Sequence, residues 1–135
     1  MTTYLLDANV LIALTVAEHE HHERATTWAA GIDRFALCPV VEGARVRFLV
    51  RIGESPTVVT QLLAAIHVIP GCAFWPDGLS YVDADLRHVR GHRQVTDAYL
   101  VSLAASRRSA TLATLDERLC RERPEQTLLV PPVSG

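Results

Sequence analysis

The chain contains no lysine, because all 13 of its basic residues are arginine. This absence excludes Schiff-base catalysis, a P-loop and any phosphoryl-transfer site that needs a lysine ammonium group. The three cysteines, Cys38, Cys72 and Cys120, lie far apart and form no C-x-x-C pair. We therefore expect structural thiols in a reducing compartment, and neither a disulfide framework nor a cysteine-based metal site.

Long apolar runs are also missing. No stretch approaches the ~18 residues of a membrane span, and the first residues read as a strand without the features of an export signal. We therefore expect a cytoplasmic protein with no membrane segment. Since 49% of the 135 residues are hydrophobic, disorder is excluded and one domain over residues 1–135 can bury its own core.

Short apolar runs alternate with helical patterns along the chain. The predicted strands cover residues 3–6, 35–38, 72–75, 111–114 and, at an edge, 128–130. The predicted helices cover residues 10–16, 18–32, 40–51, 55–66, 79–89 and 98–105, with a short one beginning at 116. This alternation predicts an α/β fold with a central, mostly parallel sheet of four to five strands and helices on both faces.

Four acidic residues, one in each quarter of the sequence, are the candidate site. Asp7 and Asp116 end predicted parallel strands that we expect to be neighbours, so they should share one edge of the sheet. Asp97 opens a predicted helix, and Glu42 lies one turn into another. Taken singly, each aspartate could be a helix N-cap and Glu42 a solvated side chain.

Taken together, the four carboxylates predict a cation site. Four such groups within ~5 Å of one another would repel by roughly 3 kcal/mol per pair at an effective dielectric constant near 20. Protonation or a cation must relieve that repulsion. Ligands that are all oxygen atoms favour Mg²⁺ or Mn²⁺ over zinc.

Four ordered motifs identify a family resemblance that spans nearly the whole chain. They are LDANVL at 6–11, CPVVE at 38–42, TDAYL at 96–100 and ATLD at 113–116. The sequence resembles the PIN domain, and more closely the VapC toxins of bacterial toxin–antitoxin pairs. The resemblance implies a PIN fold, a Mg²⁺-dependent endoribonuclease, a VapB-type antitoxin partner and a homodimer.

The resemblance also assigns roles to residues. Asp7, Glu42, Asp97 and Asp116 would be the acidic metal-site residues, and Asn9 and Thr114 would support them through hydrogen bonds or a water. The chain departs from the family at Leu119, where many members carry an aromatic residue, and around Glu42, where the pattern Glu-Gly-Ala is looser than usual.

Three arginines at steps of three precede Asp97. Arg87, Arg90 and Arg93 lie opposite the apolar stripe of the predicted helix 79–89, which Gly91 would end. They are either an ordinary exposed face, with an Asp83–Arg87 ion pair, or a track for RNA phosphates. A net charge of −2 does not exclude RNA, because setting aside the four candidate acids leaves 11 acidic residues against 13 arginines.

Two other classes of function compete with a nuclease. Haloacid-dehalogenase-like phosphatases and receiver domains also place acids at strand ends, but both need a lysine that this chain lacks. The stronger alternative is a catalytically silent PIN domain that only binds its partner. Metal-stimulated nuclease activity distinguishes these possibilities.

Overall fold

The computed structural model describes residues 1–134. Within this range, five strands form one parallel sheet. The strands are β1 (Thr3–Leu6), β2 (Phe35–Leu37), β3 (Cys72–Phe74), β4 (Ala110–Thr114) and β5 (Thr127–Leu129). Their order is β3-β2-β1-β4-β5, and every neighbouring pair is parallel. The predicted sheet is confirmed, and β1 and β4 are neighbours with Leu6 in register with Ala113.

Within residues 1–134, six α-helices connect and cover these strands. They are α1 (Ala8–Thr15), α2 (His22–Ala29), α3 (Pro39–Arg51), α4 (Pro56–His67), α5 (Val95–Ala105) and α6 (Glu117–Glu122). The strand order runs one way from β1 to β3 and the other way from β4 to β5, so right-handed crossovers place helices on both faces. The direction changes between β1 and β4, which makes their carboxyl ends the place where an α/β fold binds ligands.

The two central strands and α5 supply the middle of the core. Leu5 and Leu112 are fully buried. Ala98–Ala104 of α5 are all buried, which confirms a helix that is apolar nearly all round.

Cys38 is buried and the other two cysteines are half-buried, and all three are free thiols. Within residues 1–134, no helix is long and apolar enough to cross a bilayer.

The predicted helix over 79–89 is wrong. The segment consists of turns and bends, and only a 3-10 turn at His92–Gln94 precedes α5. Val82, one member of the apolar stripe, is 90% exposed. Local bonds replace helical ones, since the side chain of Ser80 accepts from the Val82 N–H and that of Asp85 accepts from the Arg87 N–H.

Tertiary contacts hold this segment in its non-helical path. The Tyr99 hydroxyl donates to the Leu79 carbonyl at 2.9 Å, and the Asp85 N–H donates to the Ser102 hydroxyl at 2.9 Å. Both side chains come from α5, so the packing on α5 outweighs the helical periodicity. The Asp83–Arg87 ion pair is wrong as well, because Arg87 pairs with Asp85 at 2.9 Å.

Candidate metal centre

Asp7 links the end of β1 to the start of α1. Its backbone is extended, and its N–H donates to the Ala113 carbonyl at 2.9 Å, which continues the β1–β4 pairing. One carboxylate oxygen, Oδ1, accepts from the Ala8 N–H at 2.7 Å, so Asp7 is a helix N-cap. The other, Oδ2, accepts from the Thr114 hydroxyl at 2.8 Å. The side chain is therefore fixed at both oxygens.

Thr114 is the centre of the hydrogen-bond network around Asp7. Its hydroxyl donates to Asp7 and accepts from the Asn9 side-chain amide at 3.3 Å and from the Asp116 N–H at 3.1 Å. One donated and two accepted bonds use the full capacity of a hydroxyl group. The side-chain amide oxygen of Asn9, Oδ1, also accepts from the Leu115 N–H at 3.1 Å. Thr114 therefore bonds to both the Asp7 carboxylate and the Asp116 backbone. Asn9 joins the same network through Thr114 and Leu115.

Asp116 and Asp97 complete the acidic group. Asp116 follows β4 and is the N-cap of α6, where its Oδ1 accepts from the Leu119 N–H at 3.1 Å. Asp97 lies in the first turn of α5. Over residues 1–134, no hydrogen bond or ion pair involves the Asp97 carboxylate. Leu119, the departure from the family pattern, is buried in the core.

The three aspartates interact through their charges. Burial raises the pKa of Asp7, and the charge of Asp116 raises it further, while hydrogen bonds from Thr114 and Ala8 lower it. Burial, followed by the charges of Asp7 and Asp116, raises the pKa of Asp97 to about 6. In the described chain, none of the three forms a salt bridge. Partly buried carboxylates that repel one another and form no salt bridge in the described chain are a donor set that suits a hard divalent cation.

Glu42 is bonded to a histidine. It is in the first turn of α3, and its Oε2 contacts the Nε2 atom of His67 at 2.5 Å. Its charge raises the pKa of Cys72 in β3, after the larger effect of burial. Across residues 1–134, no three His, Cys, Asp or Glu side chains are close enough to form a ready-made metal site. This holds for Asp7, Asp97 and Asp116 as well as for Glu42, so the acidic side chains would have to approach one another further to share a cation.

The three arginines of the predicted track do not share a helix face. Arg87 is bound to Asp85 through both its backbone and its guanidinium group. The Arg90 N–H donates to the Gln94 side chain, and Arg93 lies in the 3-10 turn before α5. Arg90 and Arg93 are both exposed close to the start of the helix that carries Asp97.

Two residues near the acids were missed by the sequence analysis. Arg118, on α6, has a charge that lowers the pKa of Asp97, and both residues line one shallow cleft. The spacing of two residues from Asp116 could have indicated Arg118. His67 could not have been found this way, because its contact with Glu42 depends on how α3 packs on α4.

A separate apolar groove, between α1, α2 and α4, contains none of the four acids.

Comparison with known proteins shows the family of this chain. The model of the PIN domain family matches residues 4–123. Ribonuclease VapC29 of Mycobacterium tuberculosis (strain ATCC 25618 / H37Rv) is 48% identical over 130 residues, which cover 96% of this chain and 97% of that protein. The chain belongs to the VapC family of PIN domains.

Other VapC proteins show the same relationship at lower identity. Ribonuclease VapC38 of Mycobacterium tuberculosis is 36% identical over 135 residues, which cover 90% of this chain and 92% of that protein. The crystal structure of Mycobacterium tuberculosis VapC20, a toxin that cleaves the sarcin–ricin loop, superposes with a TM-score of 0.68 at 16% identity. It covers 89% of this chain and 95% of VapC20 and confirms the PIN fold.

Proposed function

We propose that this VapC-family protein is the toxin of a type II toxin–antitoxin pair and hydrolyses RNA phosphodiester bonds as a divalent-metal-dependent endoribonuclease. The observation that carries the proposal is the convergence of Asp7, Asp97 and Asp116 beside the β1–β4 switch point without a salt-bridge partner in the described chain. The names of the ribonuclease relatives support the type of reaction.

The acidic residues would hold Mg²⁺ or Mn²⁺. Asp7, Asp97 and Asp116 are the first set, and Glu42, whose Oε2 is bonded to His67, is the fourth acid. A divalent cation bound there would stabilise negative charge on the scissile phosphate and lower the pKa of an attacking water. The positions of the carboxylates would determine where the cation binds.

The supporting residues orient the carboxylates and are not nucleophiles. The only hydrogen of the Thr114 hydroxyl is donated to Asp7, and its acceptor capacity is used by Asn9 and Asp116. A hydroxyl with these three bonds keeps one orientation and cannot attack a phosphate without losing them. Water is therefore the attacking group in the proposed hydrolysis, and Asn9 and Thr114 act through Asp7.

The protein's partners follow from the same proposal. RNA is the substrate, a VapB-type antitoxin is the inhibitor, and the site of action is the cytoplasm. We also propose a homodimer, supported by apolar side chains that α3, α4 and the adjoining loops leave exposed: Val50, Ile52, Val58, Leu62, Val68 and Ile69. Exposed apolar surface of this kind is typical of protein interfaces.

The nuclease test compares cleavage of RNA by the purified protein in Mg²⁺ and in EDTA. We expect cleavage only with the cation, and a loss of at least about 100-fold in Asp97→Asn, because removing a ligand exceeds the 10–100-fold effect of its outer-shell partners. Asp83→Asn is the matched control, since Asp83 is exposed and lies outside the acidic group.

Two results would contradict the proposal. Cleavage that survives chelation would exclude the cation, and equal activity in Asp97→Asn and Asp83→Asn would exclude the acidic group. A wild-type protein that binds its antitoxin and cleaves no RNA under any divalent cation would favour the catalytically silent binding module.

A further inference from the structure

One shallow cleft brings together Asp97 and an arginine from the last helix. Asp97, Arg118 and Gln94 line this cleft where α5 begins, together with the buried side chain of Leu119. Arg118 is on α6, two residues after Asp116. The cleft therefore contains a guanidinium group as well as one of the acids that we propose for the cation site.

Of the two arginines that line the cleft, Arg118 is the one without a protein partner. The other, Arg123, is only 4% exposed and donates to Gln126 at 2.8 Å. Arg118 is exposed, and within residues 1–134 its side chain forms no hydrogen bond and no salt bridge. Glu122 lies one helical turn further along α6, but this i,i+4 ion pair is not formed. The guanidinium group can therefore bind a ligand without first breaking a bond to the described chain.

The backbone of Arg118 is tied to the acidic group. Asp116 is the N-cap of α6 and accepts from the Leu119 N–H at 3.1 Å, and the Asp116 N–H donates to the Thr114 hydroxyl at 3.1 Å. Thr114 in turn donates to Asp7 at 2.8 Å. Since Arg118 lies between Asp116 and Leu119 in sequence, its backbone is fixed relative to the acids while its side chain is exposed.

The charge of Arg118 acts on Asp97. Burial and the charges of Asp7 and Asp116 raise the pKa of Asp97, and the charge of Arg118 lowers it. Once a divalent cation neutralises the acids, this attraction is offset, and an exposed guanidinium group beside the cation favours an anion. The anion that the proposed reaction supplies is an RNA phosphate, and the planar fork of arginine matches two phosphate oxygens.

We propose that Arg118 is a catalytic residue whose guanidinium group binds the scissile RNA phosphate and stabilises the negative charge that this phosphate gains during hydrolysis. The inference rests on the proposed function, because it needs RNA to be cleaved beside Asp97. In that reaction a water oxygen bonds to phosphorus and loses a proton to solvent, while the bond from phosphorus to a ribose oxygen breaks and that oxygen gains a proton from solvent. Arg118 exchanges no proton, because a guanidinium group stays protonated, and it contributes through its charge and hydrogen bonds.

The test measures cleavage by the full-length protein and three variants when RNA and Mg²⁺ are both saturating. Arg118→Ala should lower kcat by about 100-fold, which is the effect of removing one donor to a developing charge. Arg118→Lys keeps the charge without the planar fork and should recover roughly tenfold of that loss. Arg121→Ala is the matched control, since Arg121 is exposed on the same helix but does not line the cleft. It should stay within about twofold of the wild type, as exposed substitutions usually do.

Cation binding separates this role from a structural one. Isothermal titration calorimetry of Mg²⁺ and Mn²⁺ needs no RNA. Arg118→Ala should bind either cation as tightly as the wild type or up to about threefold more tightly, because a repelling positive charge is removed. Circular dichroism establishes that each variant is folded. The expected pattern is lost cleavage with intact cation binding.

Three results would overturn the inference. The first is a kcat of Arg118→Ala equal to that of the wild type, including the case in which only KM rises, because uniform binding of RNA is then all that the arginine supplies. The second is a loss of cation affinity that accounts for the loss of cleavage. The third is an equal loss of cleavage in Arg121→Ala.

The outcomes distinguish this inference from the proposed function. A wild-type protein that cleaves RNA in Mg²⁺, with no change in Arg118→Ala, overturns only the role of Arg118. A wild-type protein that neither binds a divalent cation nor cleaves RNA overturns both.

Discussion

The carboxyl group of Asp97 has a pKa of about 6, against an ordinary value of 3.8, because it is buried and faces the charges of Asp7 and Asp116. The folded protein therefore binds this proton more tightly than the unfolded chain does. The resulting stabilisation is fully present below about pH 3.8 and is lost as the pH rises through about 6. At neutral pH the metal-free site is a source of instability.

A pH series on the metal-free protein tests this effect. We expect Asp97→Asn to gain roughly 1–2 kcal/mol in free energy of unfolding relative to the wild type between pH 4 and pH 7, since one pKa unit corresponds to about 1.4 kcal/mol and solvent screens the charge of a partly buried carboxylate. Urea unfolding in EDTA measures the difference. Adding Mg²⁺ at pH 7 should stabilise the wild type and leave Asp97→Asn nearly unchanged. A difference between the two proteins that is the same at every pH would contradict the assignment.

For single residues, the sequence predicts which side chains lie at the same edge of the sheet when they follow neighbouring parallel strands. Asp7 and Asp116 could be placed at one sheet edge because parallel neighbours end together, and the structure pairs β1 with β4. The contact between Glu42 and His67 could not be predicted. It depends on the packing of α3 against α4, which no local pattern encodes.

At the scale of elements, the entry into β3 depends on one glycine. Gly71 has a φ of +89°, and a Cβ atom there would lie 2.0 Å from the carbonyl oxygen of Asp33. Its own carbonyl accepts from the Phe35 N–H at 3.0 Å, so the same residue starts the β2–β3 pairing. Neither the conformation nor the close approach tolerates a side chain.

We predict that Gly71→Ala destabilises the protein by more than about 3 kcal/mol, because backbone strain of roughly 1–3 kcal/mol is added to a steric clash. Gly53→Ala is the matched control, since Gly53 has a φ of +104° but open space around its Cβ position. It should show the strain alone. Chemical unfolding of both variants measures the difference, and equal losses would mean that the clash relaxes without cost.

Helical periodicity was misleading where tertiary bonds decide the path. Residues 79–89 have the apolar spacing of a helix, but Tyr99 and Ser102 of α5 bind the backbone of that segment in an irregular course. By contrast, α5 and the five strands could be predicted because their apolar runs leave few alternatives. The predicted and observed elements differ mainly where polar side chains bind backbone groups.

At the scale of the whole molecule, the charges are unevenly distributed. The net charge is −2, yet 13 arginines are spread over a chain whose acidic site gathers three aspartates. Arg90 and Arg93 are exposed just before the helix that carries Asp97, whereas Arg87 is neutralised by Asp85. Of these three arginines, we therefore expect Arg90 and Arg93 to contact RNA phosphates.

Salt dependence of RNA binding tests this arrangement. The double change Arg90→Ala and Arg93→Ala should reduce the slope of log affinity against log salt by about 1.4, since each phosphate of a single strand that an arginine neutralises adds about 0.7 to that slope. Arg87→Ala is the control and should leave the slope nearly unchanged, because its guanidinium group is bound to Asp85. Fluorescence anisotropy in EDTA measures binding without cleavage. An unaltered slope in the double variant would show that neither arginine contacts RNA phosphates.

The order of the strands also has a consequence during translation. The strand synthesised first, β1, is the middle of the sheet, and its neighbour β4 is synthesised near the end. The bond between Asp7 and Thr114 joins positions 107 residues apart. Because distant pairings form late, a growing chain on the ribosome has no assembled acidic site until β4 has emerged and paired with β1. The proposed RNA cleavage therefore cannot begin while only the first three strands have been synthesised.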